Sequence, residues 1–388
     1  MRAQALLHPS QEQAQGGALE IGIALQKVAQ ALGHRQHPLF RANILAENFR
    51  AYSADEPADG TGFRADRGQP WGACVGGETT GKGDAAGPQG AAADLAIVDA
   101  HQHFWDPGKH YYPWLNDQPR IAFRYGDYGP ICRPYLPPDY SADTTPLRVE
   151  RTVYVEAEWD PRDPTGEMRY IDGLRREFGL PTVAVAQAWL DLPDAPRVLE
   201  QQAAFAFVRS VRHKPRANTT PADGAPGGMT DARWRAGYAH LARNGLRFDL
   251  QTPWWHLPEA ARLATDFADT QIILNHTGLP SDRSREGIAG WRKAMTTLAA
   301  CPNAAVKISG LGQPGQPWTV AANRDIVRAV IDLFGVARCM FASNFPVDSL
   351  CASFATIFGG FREIVADFPA ADRRALFRDN AMRLYAMP

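Results

Sequence analysis

Two histidines spaced two residues apart, His101 and His103, close the run Val98-Asp99-Ala100. On an extended segment, residues i and i+2 face the same way, so the pair offers two imidazoles to one space. Imidazole ligates metals and changes protonation near neutral pH, so the pair suits metal binding or proton transfer. A third histidine, His276, stands just past Ile272-Ile273-Leu274. A histidine in a turn is common. Beside the first pair, this one becomes a candidate general base or proton shuttle.

Other apolar runs also end in polar side chains. In Val153-Tyr154-Val155-Glu156-Ala157-Glu158, alternation puts Tyr154, Glu156 and Glu158 on one face. We expect that face to meet the active centre and the valines to pack outward. In Val306-Lys307-Ile308-Ser309 the same logic turns Lys307 and Ser309 inward, since a buried lysine without a role is costly to desolvate. Another run offers Asp249 and Gln251. The stretch Arg209-Ser210-Val211-Arg212-His213-Lys214 is a cationic cluster suited to a substrate carboxylate. Lys214 reads equally well as the solvated start of a loop. Asn344 ends the last run, and Asp348, shortly after it, reads most simply as a residue at a helix start. The candidate catalytic residues are therefore His101, His103, His276 and Asn344. The candidate substrate contacts are Glu156, Arg212, Gln251, Lys307 and Asp348.

The elements that position these residues follow a regular rhythm. Short β-branched runs cover 96–100, 152–156, 182–187, 205–211, 246–251, 271–275, 304–309 and 338–342. Stretches with helical spacing lie between most of them, at 167–178, 231–244, 257–267, 285–300 and 323–334, with a final helix at 369–385. Eight strand–helix units predict a parallel (β/α)₈ TIM barrel over 94–388, whose active site sits at the C-terminal strand ends. The connection 104–148 is long and rich in Trp, Tyr and Pro. It reads either as an ordered lid over the barrel mouth or as a packing insertion. Gly310–Trp318 is a second unusually long connection.

Residues 1–93 have a different texture. Helical patterns fit 18–32 and 40–52, and 53–93 has few large aliphatic residues, so this N-terminal extension is expected to be mostly a disordered linker. The whole chain of 388 residues holds 41 Lys+Arg against 42 Asp+Glu, which disfavours nucleic-acid and membrane-surface roles. Its five cysteines are scattered and form no metal or disulfide motif, as expected of reduced thiols in a cytoplasmic protein. No apolar run is long enough to span a membrane, and the first residues have no secretory pattern.

The segments VDAHQHFWDP, VRSVRHKP, ILNHTGLP, VKISGLG and MFASNFPVDSL resemble the amidohydrolase-2 family of barrel hydrolases. The resemblance runs from Ile97 to Tyr385 and is nearest to the branch of sugar lactonases and pyrone-dicarboxylate lactonase. It implies hydrolysis at a carbonyl centre of a small substrate, most often a lactone. Metal-dependent relatives use the H-x-H pair, a strand-5 histidine and a strand-8 aspartate, while the strand-6 histidine acts on water. His101, His103 and His276 match that pattern. Gln251 and Asn344 depart from it, so the resemblance implies an optional divalent metal, zinc or manganese, with His101 and His103 as its ligands. The rival expectations are a metal-dependent decarboxylase of a small carboxylic acid, an amide or imide hydrolase, and a barrel that only binds its ligand. The expected partner is a small anionic molecule, and a homo-oligomer stays open.

Overall fold

In the computed structural model, residues 95–145 and 147–388 are described. The N-terminal extension, with its expected helices and linker, lies outside the described residues. Eight strands follow in sheet order: β1 Ile97–Gln102, β2 Val149–Val155, β3 Val183–Gln187, β4 Val208–Arg212, β5 Arg247–Leu250, β6 Ile272–Leu274, β7 Ala304–Ile308 and β8 Cys339–Phe341. Each pairs in parallel with the next. A parallel bridge from Gln102 to Phe345 joins the two ends. The expected (β/α)₈ barrel is the observed one.

Helices cover the outside. They are α1 Pro137–Thr144, α2 Gly166–Phe178, α3 Ala195–Ala203, α4 Ala232–Tyr238, α5 Leu257–Asp266, α6 Arg285–Ala299, α7 Val320–Phe334 and α8 Phe354–Ile364. Several begin where a side chain answers a free backbone donor, as Asp231 does for Arg233 and Trp234 and Ser284 for Gly287. The helices α1, α3 and α8 escape the sequence pattern. Helix α8 is apolar almost all round and contains Gly360, which hides its period. That glycine is required, because a Cβ there would come within 2.2 Å of the Trp318 ring.

The barrel interior is filled by Val98, Ala100, Val153, Val155, Val183, Val185, Ile273, Ala305, Met340 and Ala342. This corrects the expected face of β2. Val153 and Val155 point inward, and Tyr154 points to the helix layer, where its hydroxyl donates to Glu167 of α2 at 2.9 Å. Small branched side chains suit the narrow interior, and a tyrosine does not fit that layer. Lys307 does point inward as expected. Its Nζ lies 2.6 Å from Asp249 Oδ1 and both side chains are fully buried. The near-terminal Tyr385 completes the group by donating to Asp249 Oδ1 and Oδ2 at 2.8 and 3.0 Å.

Burial lowers the Lys307 pKa, and the Asp249 carboxylate opposes that shift. Removing one partner of such a pair strands the other charge. Asp249→Asn is therefore expected to lower the unfolding free energy by about 3 kcal/mol or more, and adding Lys307→Met should restore most of it. Urea unfolding of the two variants checks this; equal losses in both would show that the pair is not the cause.

Candidate active site

The first strand reaches the site through a bulge. Asp99 pairs with Thr152 and Gln102 with Tyr154, so β1 advances three residues while β2 advances two. The extra residue shifts the alternation. Below it Val98 and Ala100 face the interior, and beyond it His101 and His103 turn toward the mouth. Their Nε2 atoms lie 3.2 Å apart. The Nδ1–H of His103 donates to the Val155 carbonyl at 2.7 Å, since a carbonyl can only accept.

His276 arrives on a left-handed turn. It and the next three residues, Thr277, Gly278 and Leu279, have φ of 54°, 54°, 67° and 57°. The indole of Trp291 on α6 fixes the turn by donating to the Thr277 carbonyl at 2.7 Å. The His276 ring stands 4.5 Å from that of His101, centroid to centroid, with its Nδ1 2.9 Å from Ser309 Oγ. Gly310 follows with φ 65°, and a Cβ there would come within 2.8 Å of His276 Cβ. Asn344 and Glu158 are also left-handed, at 60° and 58°. Left-handed backbone in a non-glycine residue costs about 1–3 kcal/mol and gathers at functional sites. Glu158, His276 and Asn344 all line one cavity.

That cavity encloses about 540 Å³ of empty space, part of it open to solvent. Trp105, Trp114 and Phe123 from the β1–β2 connection form one wall, so this connection covers the mouth. Trp114 and Phe123 stack at 5.9 Å and 16°. Three cations line the same space: Arg124, Arg212 and Lys214. Arg212 pairs with the Glu156 carboxylate, donates to the Glu156 carbonyl at 2.6 Å, and donates to Gln251 Oε1 at 2.8 Å. Lys214 pairs with Glu158. Arg124 lies 3.6 Å from Asp348, which also accepts from the Tyr125 hydroxyl at 3.0 Å and from the Asn344 amide at 2.6 Å.

Burial and these cations keep the imidazoles uncharged. The pKa of His103 falls to about 3, through burial first and Arg212 second. His101 is held well below the usual value by burial and Lys307, and His276 by burial and Arg124. Burial also lowers Lys214 to about 8. At neutral pH the site therefore combines neutral proton acceptors with positive charge, which suits an anionic reactant.

Of the residues singled out in the sequence, His103, His276, Asn344, Arg212 and Gln251 line the cavity, and His101 packs against two of them. Glu156 lies behind Arg212 and Asp348 behind Asn344. Lys307 is bound to Asp249 within the barrel and does not line the cavity. The lone strand lysine was visible in sequence, but its partner was not. The remaining members of the cluster also separate. Arg209 donates to the Ala386 carbonyl at 3.3 Å, and His213 accepts from the Trp234 indole at 3.0 Å. Glu158 lines the cavity, as its face of the second run led us to expect, whereas sequence reasoning missed Arg124, and no signal in the aromatic-rich connection distinguishes Arg124 from its neighbours.

The converging His101 and His103 Nε2 atoms, with the His103 Nδ1–H on a carbonyl, are the part of the site that fits a divalent cation. The rest does not fit. Among the described residues no three of His, Cys, Asp and Glu are placed to hold a metal ion. Asn344 and Gln251 offer amides, Gln251 Oε1 is taken by Arg212, and Glu156, Glu158 and Asp249 are each paired with a cation.

The amidohydrolase family model matches residues 98–387. The chain belongs to this family. This amidohydrolase is 41% identical over 76% of its length to an uncharacterised protein, y4mH, of Sinorhizobium fredii, covering 99% of that protein. It is 28% identical to L-fucono-1,5-lactonase of Burkholderia multivorans, over 75% of this chain and 96% of that one. A crystal structure of a Burkholderia multivorans amidohydrolase with bound zinc is similar at a TM-score of 0.63 and 25% identity, over 76% of this chain and 100% of the other. The amidohydrolase is a hydrolase enzyme.

Gly310→Ala is expected to push His276 out of place while leaving the lining charges intact. A displacement of about 1 Å costs on the order of a hundredfold in turnover. Kinetics on a folded variant check it; unchanged kcat would show that the His276 ring position does not matter.

Proposed function

We propose that this amidohydrolase opens a small anionic lactone, a cyclic ester of a sugar acid or of an intermediate in the breakdown of aromatic compounds. The observation that carries the reading is the meeting of three uncharged imidazoles with a cationic, aromatic-walled cavity. Arg212, Lys214 and Arg124 bind the substrate carboxylate, and the aromatic wall packs against the ring. His276, oriented by Ser309, takes a proton from water as the oxygen attacks the carbonyl carbon. His101, His103 and Asn344 frame the reacting carbonyl, and Arg212 meets the charge that develops on its oxygen. The ring C–O bond then breaks, and the proton held on His276 passes to the leaving alkoxide. The product is an open hydroxy acid. A lactone is reactive enough for this route to need no metal, and the metal stays optional in this reading.

A panel of lactones followed with a pH indicator, with and without chelator, tests it directly, because hydrolysis releases a proton. Turnover that survives the chelator is the expected result. His276→Ala should lower kcat/KM about 10²–10⁴-fold, the usual contribution of a general base. No turnover of any lactone, or a fully active His276→Ala, would overturn the assignment.

The pH profile follows from the site charges. A group with lowered pKa remains uncharged as pH falls, so the imidazoles stay competent through the range where a free histidine, with pKa about 6.5, would protonate. The profile is expected to be flat from about pH 5.5 to 7.5. As pH rises through about 8, Lys214 loses its charge, so KM for an anionic lactone should rise. An acid limb centred near pH 6.5 would contradict the neutral trio.

A further inference from the structure

Glu167 opens α2, is 1% exposed, and takes no part in the steps above. Its Oε1 accepts the Ala157 N–H at 2.6 Å and the Tyr154 hydroxyl at 2.9 Å. Ala157 lines the cavity, and its carbonyl accepts the Trp114 indole N–H at 2.9 Å. One residue is thus gripped from two sides, by the helix layer through its N–H and by the β1–β2 connection through its carbonyl. Its two neighbours in the chain carry the carboxylates that fix the cavity cations. Glu156 holds Arg212, and Glu158, in its left-handed conformation, holds Lys214. Glu156 N–H still donates to the Val185 carbonyl of β3 at 2.9 Å, and the Glu158 N–H donates to the Glu156 carboxylate at 2.8 Å, so the Ala157 N–H is the one donor of this turn that the helix layer holds.

We propose that Glu167 is a positioning residue that, through the Ala157 N–H, fixes the Glu156–Glu158 turn and so the placement of Arg212 and Lys214 against the substrate's carboxylate. This rests on the reading of the cavity as an anion-binding hydrolase site. Burial, and then the charge of Glu156, push the Glu167 carboxyl up to about 8. The two donors require an acceptor oxygen at Oε1, which glutamine supplies and alanine does not. A residue that merely filled space would show no such distinction between the two replacements.

The test titrates malonate, a stable dicarboxylate, into the full chain by calorimetry, with lactone kinetics in parallel. Glu167→Ala should weaken malonate binding and raise KM about tenfold, the effect of one lost buried hydrogen bond. Its kcat should fall less than that of His276→Ala, because the base is untouched while Arg212, which also meets the developing charge, shifts with the turn. Glu167→Gln should return affinity to within about twofold of the wild type. Tyr154→Phe, which removes only the hydroxyl that orients the carboxyl, should weaken malonate about threefold and keeps the test alive if the alanine variant does not fold. Wild-type affinity in folded Glu167→Ala or Tyr154→Phe overturns the inference alone. So does a folded Glu167→Gln with the affinity of the alanine variant. A wild-type chain that binds no malonate overturns the reading of the cavity and this inference with it.

Discussion

Everything at the site depends on how the barrel closes. The last strand is three residues long and pairs along its length with β7. Closure falls to the residues just beyond it. The Asp99 carboxylate accepts the Ser343 N–H at 2.8 Å and the Ser343 hydroxyl at 2.6 Å, and Tyr140 of α1 donates to it at 2.8 Å. Asn344 N–H then donates to the His101 carbonyl, and His103 N–H to that of Phe345, both at 2.8 Å. The seam therefore runs through the segment that carries the candidate catalytic residues. The bonds that shut the barrel also set His101, His103 and Asn344 side by side, so stability and site geometry are one problem here. Burial raises the Asp99 pKa to about 6 despite these donors, which shows how far the seam lies from water.

The second constraint is charge. Arg212, Lys214 and Lys307 enter a space walled by apolar strands and aromatic rings, and an isolated charge there would be costly. Each is matched by a carboxylate from a different element: Glu156, Glu158 and Asp249. The two pairs at the mouth leave cations facing the cavity, and the pair within the barrel does not. The histidines, surrounded by this positive charge, do best uncharged. Uncharged imidazoles are what the proposed general-base role of His276 requires.

Much of this was legible in the sequence, and the limits have physical causes. Eight β-branched runs separated by helical spacing point to a parallel barrel because parallel strands need a long crossover, most often a helix. Strand ends then locate His101, His103, His276, Arg212, Gln251 and Asn344 near one mouth. Alternation fails at β2, where the polar Tyr154 faces outward, because the helix layer supplies Glu167 as a partner and Val153 and Val155 take the interior positions on either side. It misleads at Lys307 for a different reason. The inward direction was right, but depth along the strand decides whether an inward lysine meets substrate or a buried aspartate. Arg124 was not legible at all. It reaches the cavity from an irregular connection with no period to read, and its place is fixed by contacts such as that with Asp348, far away in sequence.

The backbone itself carries a final argument about what the cavity is for. Among the described residues, six that are not glycine have positive φ, and five of them are Glu158, His276, Thr277, Leu279 and Asn344. Three of these line the cavity and the other two continue the His276 turn. A barrel needs no such conformations to close, since its regular strand–helix connections have unstrained solutions. Strain of this kind persists only where surrounding structure imposes it, and here the surroundings are specific: Trp291 on the Thr277 carbonyl, the Ala157 peptide between Glu167 and Trp114, and Asp348 on the Asn344 amide. Each device aims one polar side chain at the same space. Packing alone gives no reason for three separate strand ends to bear this cost together, whereas a reaction that needs a base, a carbonyl neighbour and a charge pair in register does.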